Sequence, residues 1–212
     1  MKISVSYLSS IFDKKSTIRL IDNSNADMIH VDLMDGMFVP KRNFYIEETL
    51  EDLKNTKKPL DIHLMVYEPE KYIKDLSTLK PEYITFHLES KTDIKETIKL
   101  IKSYGIKVGI SIKPNTDISY LEPYYNDIDL ILIMSVEPGA GGQRFIFDML
   151  EKVEDLNDLK YNKGYKFMIS VDGGLNEYTA IKCRDSGANI IVSGSYVCRH
   201  ENYNERINLL RK

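Results

Sequence analysis

Along the chain, short apolar runs alternate with stretches in which apolar residues return every three or four positions. Apolar or alternating runs of four to eight residues read as strands, and the longer recurrence reads as amphipathic helix. On this pattern strands are predicted over 3–8, 28–35, 59–66, 83–89, 107–113, 130–136, 166–173 and 189–194. Helices are predicted between them over 14–23, 45–55, 70–79, 93–104, 118–126, 147–159, 177–186 and 203–210. Asp93 is placed to cap the fourth helix, and Gly105 and Gly187 stand where helices end. The runs Ile128-Asp-Leu-Ile-Leu-Ile-Met-Ser-Val136 and Asn189-Ile-Ile-Val-Ser-Gly194 are apolar almost throughout, as strands covered on both faces must be. Eight strand–helix units of roughly 25 residues predict an α/β protein, a (β/α)8 TIM barrel, as one domain over 1–212. A doubly wound open sheet is disfavoured because the first βα loop, Ser9-Ser-Ile-Phe-Asp13, has no Gly-x-Gly-x-x-Gly turn.

The polar residues within these strands change the picture. Side chains alternate along a strand, so His30, Asp32 and Met34 share one face while Val31 and Leu33 share the other. The third strand repeats the arrangement with Asp61, His63 and Met65, the fourth carries Thr85, His87 and Glu89 in register, and the seventh ends in Asp172. Burying so many ionisable groups costs several kcal/mol unless they are paired or bound to a metal. In a closed barrel the second and third strands are neighbours and the seventh lies three steps away, so Asp32 and Asp172 face each other across the mouth. His30, Asp32, His63 and Asp172 are therefore candidate ligands for one divalent ion, and the mixed N/O set suits Zn, Fe, Mn or Co.

Two carboxylates on opposite sides of a bound molecule suit a particular reaction. One removes the proton α to a carbonyl and the other returns a proton to the opposite face, inverting the carbon, with a cation stabilising the enediolate between the two steps. Met34, Met65 and Met134 are candidates for a dry, polarizable wall. Gly173-Gly174 after the seventh strand and Gly194-Ser195 after the eighth occupy the loops that in many barrels cradle a phosphate. The loop Glu137-Pro-Gly-Ala-Gly-Gly-Gln-Arg-Phe145 is glycine-rich enough to close over a ligand, with Arg144 as a further anion contact.

Composition narrows the partners. A net charge of -3 with no isolated basic block argues against a nucleic-acid or membrane-surface role, so attraction of an anionic substrate must be local. Cys183 and Cys198 lack metal-ligand spacing and are expected as buried small hydrophobes in a reducing compartment. No apolar run approaches membrane-spanning length and the N-terminal residues run straight into a strand pattern, which predicts a soluble cytoplasmic protein.

Taken together, His30-Val-Asp-Leu-Met-Asp-Gly36 with Phe38-Val-Pro40, Asp61-Ile-His-Leu-Met-Val66, Ile84-Thr-Phe-His87, Met134-Ser-Val-Glu-Pro-Gly139 with Gly141-Gly-Gln143, and Val171-Asp-Gly-Gly174 resemble the ribulose-phosphate 3-epimerase family. The resemblance implies a barrel that binds one divalent metal and interconverts the phosphorylated ketoses D-ribulose 5-phosphate and D-xylulose 5-phosphate, in a cytoplasmic homo-oligomer. It implies His30, Asp32, His63 and Asp172 as metal ligands, with Asp32 and Asp172 also the acid/base pair. It further implies substrate contacts from Ser6, His63 and Asp172, from Gly139, Ala140, Gly141 and Gly142, and from Gly173, Gly174, Gly194 and Ser195.

Val5, Ile11, Lys41, Tyr45 and Ala140 stand where the family usually has Pro, Asp, Asn, Gly and Phe. None of these removes a ligand or a base, but those after Pro40 and at Ala140 bear on lid closure and substrate size. The similar D-allulose-6-phosphate 3-epimerases are the first alternative. Sugar-acid-phosphate decarboxylases of related barrels carry Asp-x-Lys where this chain has His30-x-Asp32 and Asp61-x-His63, and a non-catalytic sugar-phosphate-binding barrel is the last alternative.

Overall fold

Eight parallel strands close on themselves in the computed structural model, which describes residues 1–43 and 45–212. β1 (Lys2–Ser6), β2 (Met28–Met34), β3 (Leu60–Met65), β4 (Tyr83–His87), β5 (Lys107–Ile112), β6 (Leu130–Met134), β7 (Met168–Asp172) and β8 (Ile190–Ser193) each pair with the next, and β8 pairs with β1. Around them lie α1 (Lys14–Asp22), α2 (Ile46–Leu53), α3 (Glu70–Ser77), α4 (Ile94–Ser103), a 3₁₀ helix (Ile118–Tyr124), α5 (Met149–Lys163), α6 (Glu177–Asp185), α7 (Ser195–Cys198) and α8 (Tyr203–Leu210). The expected (β/α)8 barrel is the architecture found.

Every predicted strand is present, and each stops one or two residues early at its carboxyl end. The trimmed residues, Leu8, Glu89 and Val136 among them, belong to the loops that rim the barrel mouth. Over 118–126 the expected α-helix is instead a 3₁₀ turn containing Pro123, whose ring removes a backbone donor and clashes with the preceding turn. α5 begins and ends later than predicted, and Gly164 stops it in the left-handed region at φ 72°. α7 was not predicted, since four residues cannot display a helical period. The caps behave as expected on α4, where the Asp93 carboxylate accepts the Glu96 amide and Gly105 follows at φ 72°.

Alternation along each strand sorts the core into layers. Val31 and Leu33 point outward into the shell between barrel and helices, with Ile18, Ile21 and Leu53. Met28 points inward, among Tyr83, Leu130, Leu132, Ile190 and Val192. Met34 and Met65 form a separate small cluster with Val39 at the mouth. Among the described residues, no helix is long and apolar enough to cross a membrane.

Candidate active site and metal centre

β2, β3 and β7 deliver inward polar side chains to one spot beneath the mouth. Asp32 sits opposite His63 in the β2–β3 register, and Ser6 sits opposite His30 across β1–β2. One donor atom from each of His30, Asp32, His63 and Asp172 lies within 4.8 Å of all the others. Asp32 Oδ1 is 3.3 Å from His30 Nε2 and 3.1 Å from His63 Nδ1, while Asp172 Oδ2 is 3.9 and 4.0 Å from the same two nitrogens.

That donor set fits a metal ion. Ligand bonds of about 2.0–2.2 Å to imidazole and carboxylate place neighbouring donors about 3–4 Å apart, the separations found. His30 Nε2 is buried and makes no hydrogen bond, because Asp32 Oδ1 lies out of line with it despite its nearness. An orphaned ring nitrogen of this kind is costly in a protein interior unless something binds it. Its partner nitrogen is already committed, since His30 Nδ1 lies 2.8 Å from Asp61 Oδ2, which also accepts the Ser4 hydroxyl at 2.9 Å. With Nδ1–H donated to Asp61, the lone pair on Nε2 faces the centre.

The surrounding carboxylates draw positive charge, a proton or a metal ion, to that nitrogen. Burial opposes a charged His30, yet the carboxylates of Asp32 and Asp61 overcome it and raise the imidazole well above the usual histidine range. Burial likewise works to raise Asp32, and His30 with His63 reverses it and holds that carboxyl well below the carboxylate range. Asp172 has no such compensation: burial, then the charge of Asp32, push it up to about 7. Burial lowers His63. The centre as a whole attracts positive charge.

Above it opens a cleft of about 520 Å³, counting its open mouth. Ser6, Asp32, Met34, Met65 and Asp172 form its floor and one wall, and Gly139, Ala140, Gly141, Gly142, Gly173, Gly174, Gly194 and Ser195 line the rest. The structure thus gathers most of the residues expected in the site. Three are placed differently. His63, fully buried beneath the floor beside His30, does not line the cleft. Met134 does not line it either; it packs in the inner apolar layer with Val136 and Val192. Its inward direction was right, but Val136 and Val192 of the same layer, not Met134, reach the cleft. Arg144 is exposed and outside the cleft lining, so it is no anion contact here.

The loops are built for close approach. Gly174 has φ 66°, and a Cβ there would meet the Phe145 amide nitrogen at 2.5 Å. Gln143 donates to the carbonyls of Glu137 and Ala140 at 2.7 and 2.8 Å, which fixes the curl of the β6 loop. Ser135 Oγ is within bonding distance of the Asp172 and Gly173 carbonyls, at 2.9 and 2.7 Å. Ser135 and Asp61 hold the site together; Ser135 went unmarked in the sequence, and Asp61 was placed on the inner face but given no role. For Asp61 the signal was present, a carboxylate two positions before His63 on the same face.

Comparison with known proteins agrees with the geometry. Residues 2–198 match the model of the ribulose-phosphate 3 epimerase family. The chain is 36% identical over 215 residues to ribulose-phosphate 3-epimerase of Bacillus subtilis (strain 168), covering 100% of this chain and 98% of that protein. It is 40% identical over 210 residues to the Synechocystis protein of the same name, covering 97% and 90% respectively. Among solved structures, 3-hexulose-6-phosphate synthase from Salmonella typhimurium superposes with a TM-score of 0.72 at 16% identity, over 99% of this chain and 96% of that one, a likeness of fold. With a closed barrel, a buried two-histidine, two-aspartate centre and these full-length matches, the chain belongs to the ribulose-phosphate 3-epimerase family.

Proposed function

We propose that the protein interconverts D-ribulose 5-phosphate and D-xylulose 5-phosphate by moving a proton off and onto C3. One observation carries the reading: Asp32 and Asp172, on strands three steps apart, both reach the floor of one cleft, beside two histidines and within 4.8 Å of a common set of donors. One carboxylate takes the C3 proton, and the electron pair left behind delocalises onto the C2 carbonyl oxygen as the enediolate. The other carboxylate delivers a proton to the opposite face of C3, so the carbon inverts and the skeleton stays whole.

His30, Asp32, His63 and Asp172 hold a divalent ion, of which Zn, Fe, Mn and Co all suit two nitrogens and two oxygens. When bound, that ion supplies positive charge to stabilise the enediolate oxygens. Ser6 donates to Asp32 Oδ2 at 2.6 Å and so aims that carboxylate while facing the cleft. Met34 and Met65 keep water from the reacting carbon. Backbone N–H groups of 139–142, Gly173, Gly174, Gly194 and Ser195 receive the phosphate. Two free, buried cysteines favour a reducing cytoplasmic setting. Homo-oligomerisation completes the reading, and sedimentation velocity measures it.

The deciding experiment incubates the metal-loaded protein in D₂O with pentulose 5-phosphate or hexulose 6-phosphate and follows C3 by NMR. Deuterium at C3 with appearance of the epimer is expected for the pentulose. Faster exchange of the hexulose assigns the site to D-allulose 6-phosphate instead, and binding without exchange removes the two-base scheme.

A further inference from the structure

His87 and Glu89 do not line the cleft, yet they close a hydrogen-bond chain that ends on His63. His63 Nδ1 faces the metal centre, and its other nitrogen, Nε2, lies 2.9 Å from His87 Nε2. His87 Nδ1 in turn lies 3.2 Å from Glu89 Oε2. The second oxygen of Glu89 accepts the Lys113 amide at 2.8 Å and the Thr116 hydroxyl. Lys152 of α5 donates to the carbonyls of Pro114 and Thr116 at 2.6 Å each, pinning the loop that carries those donors. The Phe38 ring, 4.7 Å from His87, covers the imidazole.

Donor and acceptor bookkeeping along this chain leaves one solution once a cation is shared by His63 Nδ1 and Asp32 Oδ1, which lie 3.1 Å apart. Two ring nitrogens in hydrogen-bond contact share a single proton, and a neutral imidazole carries one N–H. Burial acts to raise Glu89, but hydrogen bonds from His87, Thr116 and Lys113 outweigh it and hold the carboxyl down at about 2, so it is ionised and accepts only. With Nδ1 of His63 given to a metal ion, the single proton of that neutral ring sits on Nε2 and points at His87 Nε2. His87 must then donate from Nδ1 to Glu89, which leaves its Nε2 bare. That nitrogen accepts Nε2–H of His63, and the lone pair of His63 Nδ1 is left facing the centre. The opposite tautomers would set a bare nitrogen of His87 against the carboxylate.

We propose that Glu89, acting through His87, is a positioning residue that fixes the tautomer of His63 and thereby makes its Nδ1 a metal ligand. The proposal rests on the assignment of His30, Asp32, His63 and Asp172 as the metal centre. It makes a sharp demand on Glu89→Gln, which changes one oxygen to NH₂ outside the cleft. The amide oxygen stays with the Lys113 and Thr116 donors, since the flipped amide would oppose its NH₂ to the Lys113 N–H, which can only donate. The NH₂ group then faces His87 Nδ1 and donates to it. Every proton in the chain moves over, and His63 acquires N–H on the ligand atom.

The test measures Zn²⁺ affinity by chelator competition, and histidine tautomers by long-range ¹H–¹⁵N NMR, in wild type, Glu89→Gln and Glu89→Asp. Zinc-bound wild type should show the Nε2–H form of His63. Glu89→Gln should show the Nδ1–H form in the metal-free protein and bind zinc about 10–100-fold more weakly, with Glu89→Asp recovering part of the loss. Unchanged zinc affinity in Glu89→Gln overturns the proposal. Should that variant not fold, His87→Phe removes the middle of the chain, and wild-type zinc affinity in it overturns the proposal equally. Failure of wild type to bind any of Zn²⁺, Mn²⁺, Fe²⁺ or Co²⁺ overturns the metal centre itself, an outcome separable from the tautomer measurement on metal-free protein.

Discussion

The two halves of the barrel mouth face one cleft with different materials. From β1 to β4 come side chains, Ser6, Asp32 and Met65 at the surface with His30, His63 and His87 beneath, each oriented by hydrogen bonds to a further buried group. From β6 to β8 come mostly glycine backbone and apolar side chains, Gly139, Gly173, Gly174 and Gly194 beside Val136 and Val192. Asp172 alone crosses this division, an acid sent from the second half to the first half's centre. A cation is held by directional lone pairs that other groups must aim, whereas a phosphate is met by backbone N–H groups that need the absence of a Cβ. Substitutions in the first half should therefore strike the chemical step, and those in the second should strike folding and substrate binding.

The largest effect tests the first half and the residue that crosses to it. Asp32→Asn and Asp172→Asn are each expected to lower kcat about 10³-fold or more while far-UV circular dichroism stays that of wild type. Interconversion should stop in both variants. In Asp172→Asn the C3 proton of one epimer should still exchange with solvent, because the other base remains. Near-normal kcat in either variant would remove the two-base scheme.

The second half is broken by a methyl group. Gly174→Ala forces φ 66° on a residue with a Cβ and drives that atom to 2.5 Å from the Phe145 backbone nitrogen. The expected cost is about 2–4 kcal/mol, read as a lower urea midpoint, with KM for the phosphorylated ketose rising more than kcat falls. Gly164→Ala is the control. Its φ is 72° but nothing lies within 4 Å of a Cβ there, so only the backbone term of about 1–2 kcal/mol should remain, with KM unchanged. Equal KM effects in the two variants would dissolve the distinction between the halves.

The first half was also the more legible in the sequence. Period-two alternation put His30, Asp32 and His63 on one face, and barrel closure brought Asp172 to them, because both follow from strand geometry alone. Met134 obeyed the same alternation but not the depth, which depends on how far each strand is staggered around the ring. His87 and Glu89 were visible in register, while their link to His63 needed rotamers and the β5 loop, neither of which a single sequence specifies. The loops after β7 and β8 were visible only as glycine-bearing turns, since their shape lies in backbone conformation. Strand ends ran long in prediction for a related reason: the chain stays apolar past the last ladder bond and only the loop geometry decides where pairing stops.

A smaller effect is expected from Ser6→Ala. The Ser6 hydroxyl donates to Asp32 Oδ2 at 2.6 Å, a bond to a carboxylate worth about 1.5–3 kcal/mol. The lost aim should lower kcat about 10-fold or somewhat more, and zinc affinity should change less than in any ligand variant.

The smallest effect concerns how the first half is kept rigid in acid. The folded-state pKa of Glu89 is about 2, below the ordinary 4.5, so its contribution to stability is fully present above pH 4.5 and lost as pH falls toward 2. The side chain is 23% exposed, which screens the interaction and leaves about 1–2 kcal/mol at neutral pH. Urea unfolding of metal-free wild type and Glu89→Gln should therefore show a gap in favour of wild type at pH 7 that is unchanged at pH 5.5 and shrinks through pH 4 and 3. Other carboxylates titrate in the same range, but they are common to both proteins and cancel in the difference. A gap that stays constant down to pH 3 would mean that the Glu89 charge is not what braces His87, and the contrast between an aimed first half and a backbone-built second half would lose its outermost support.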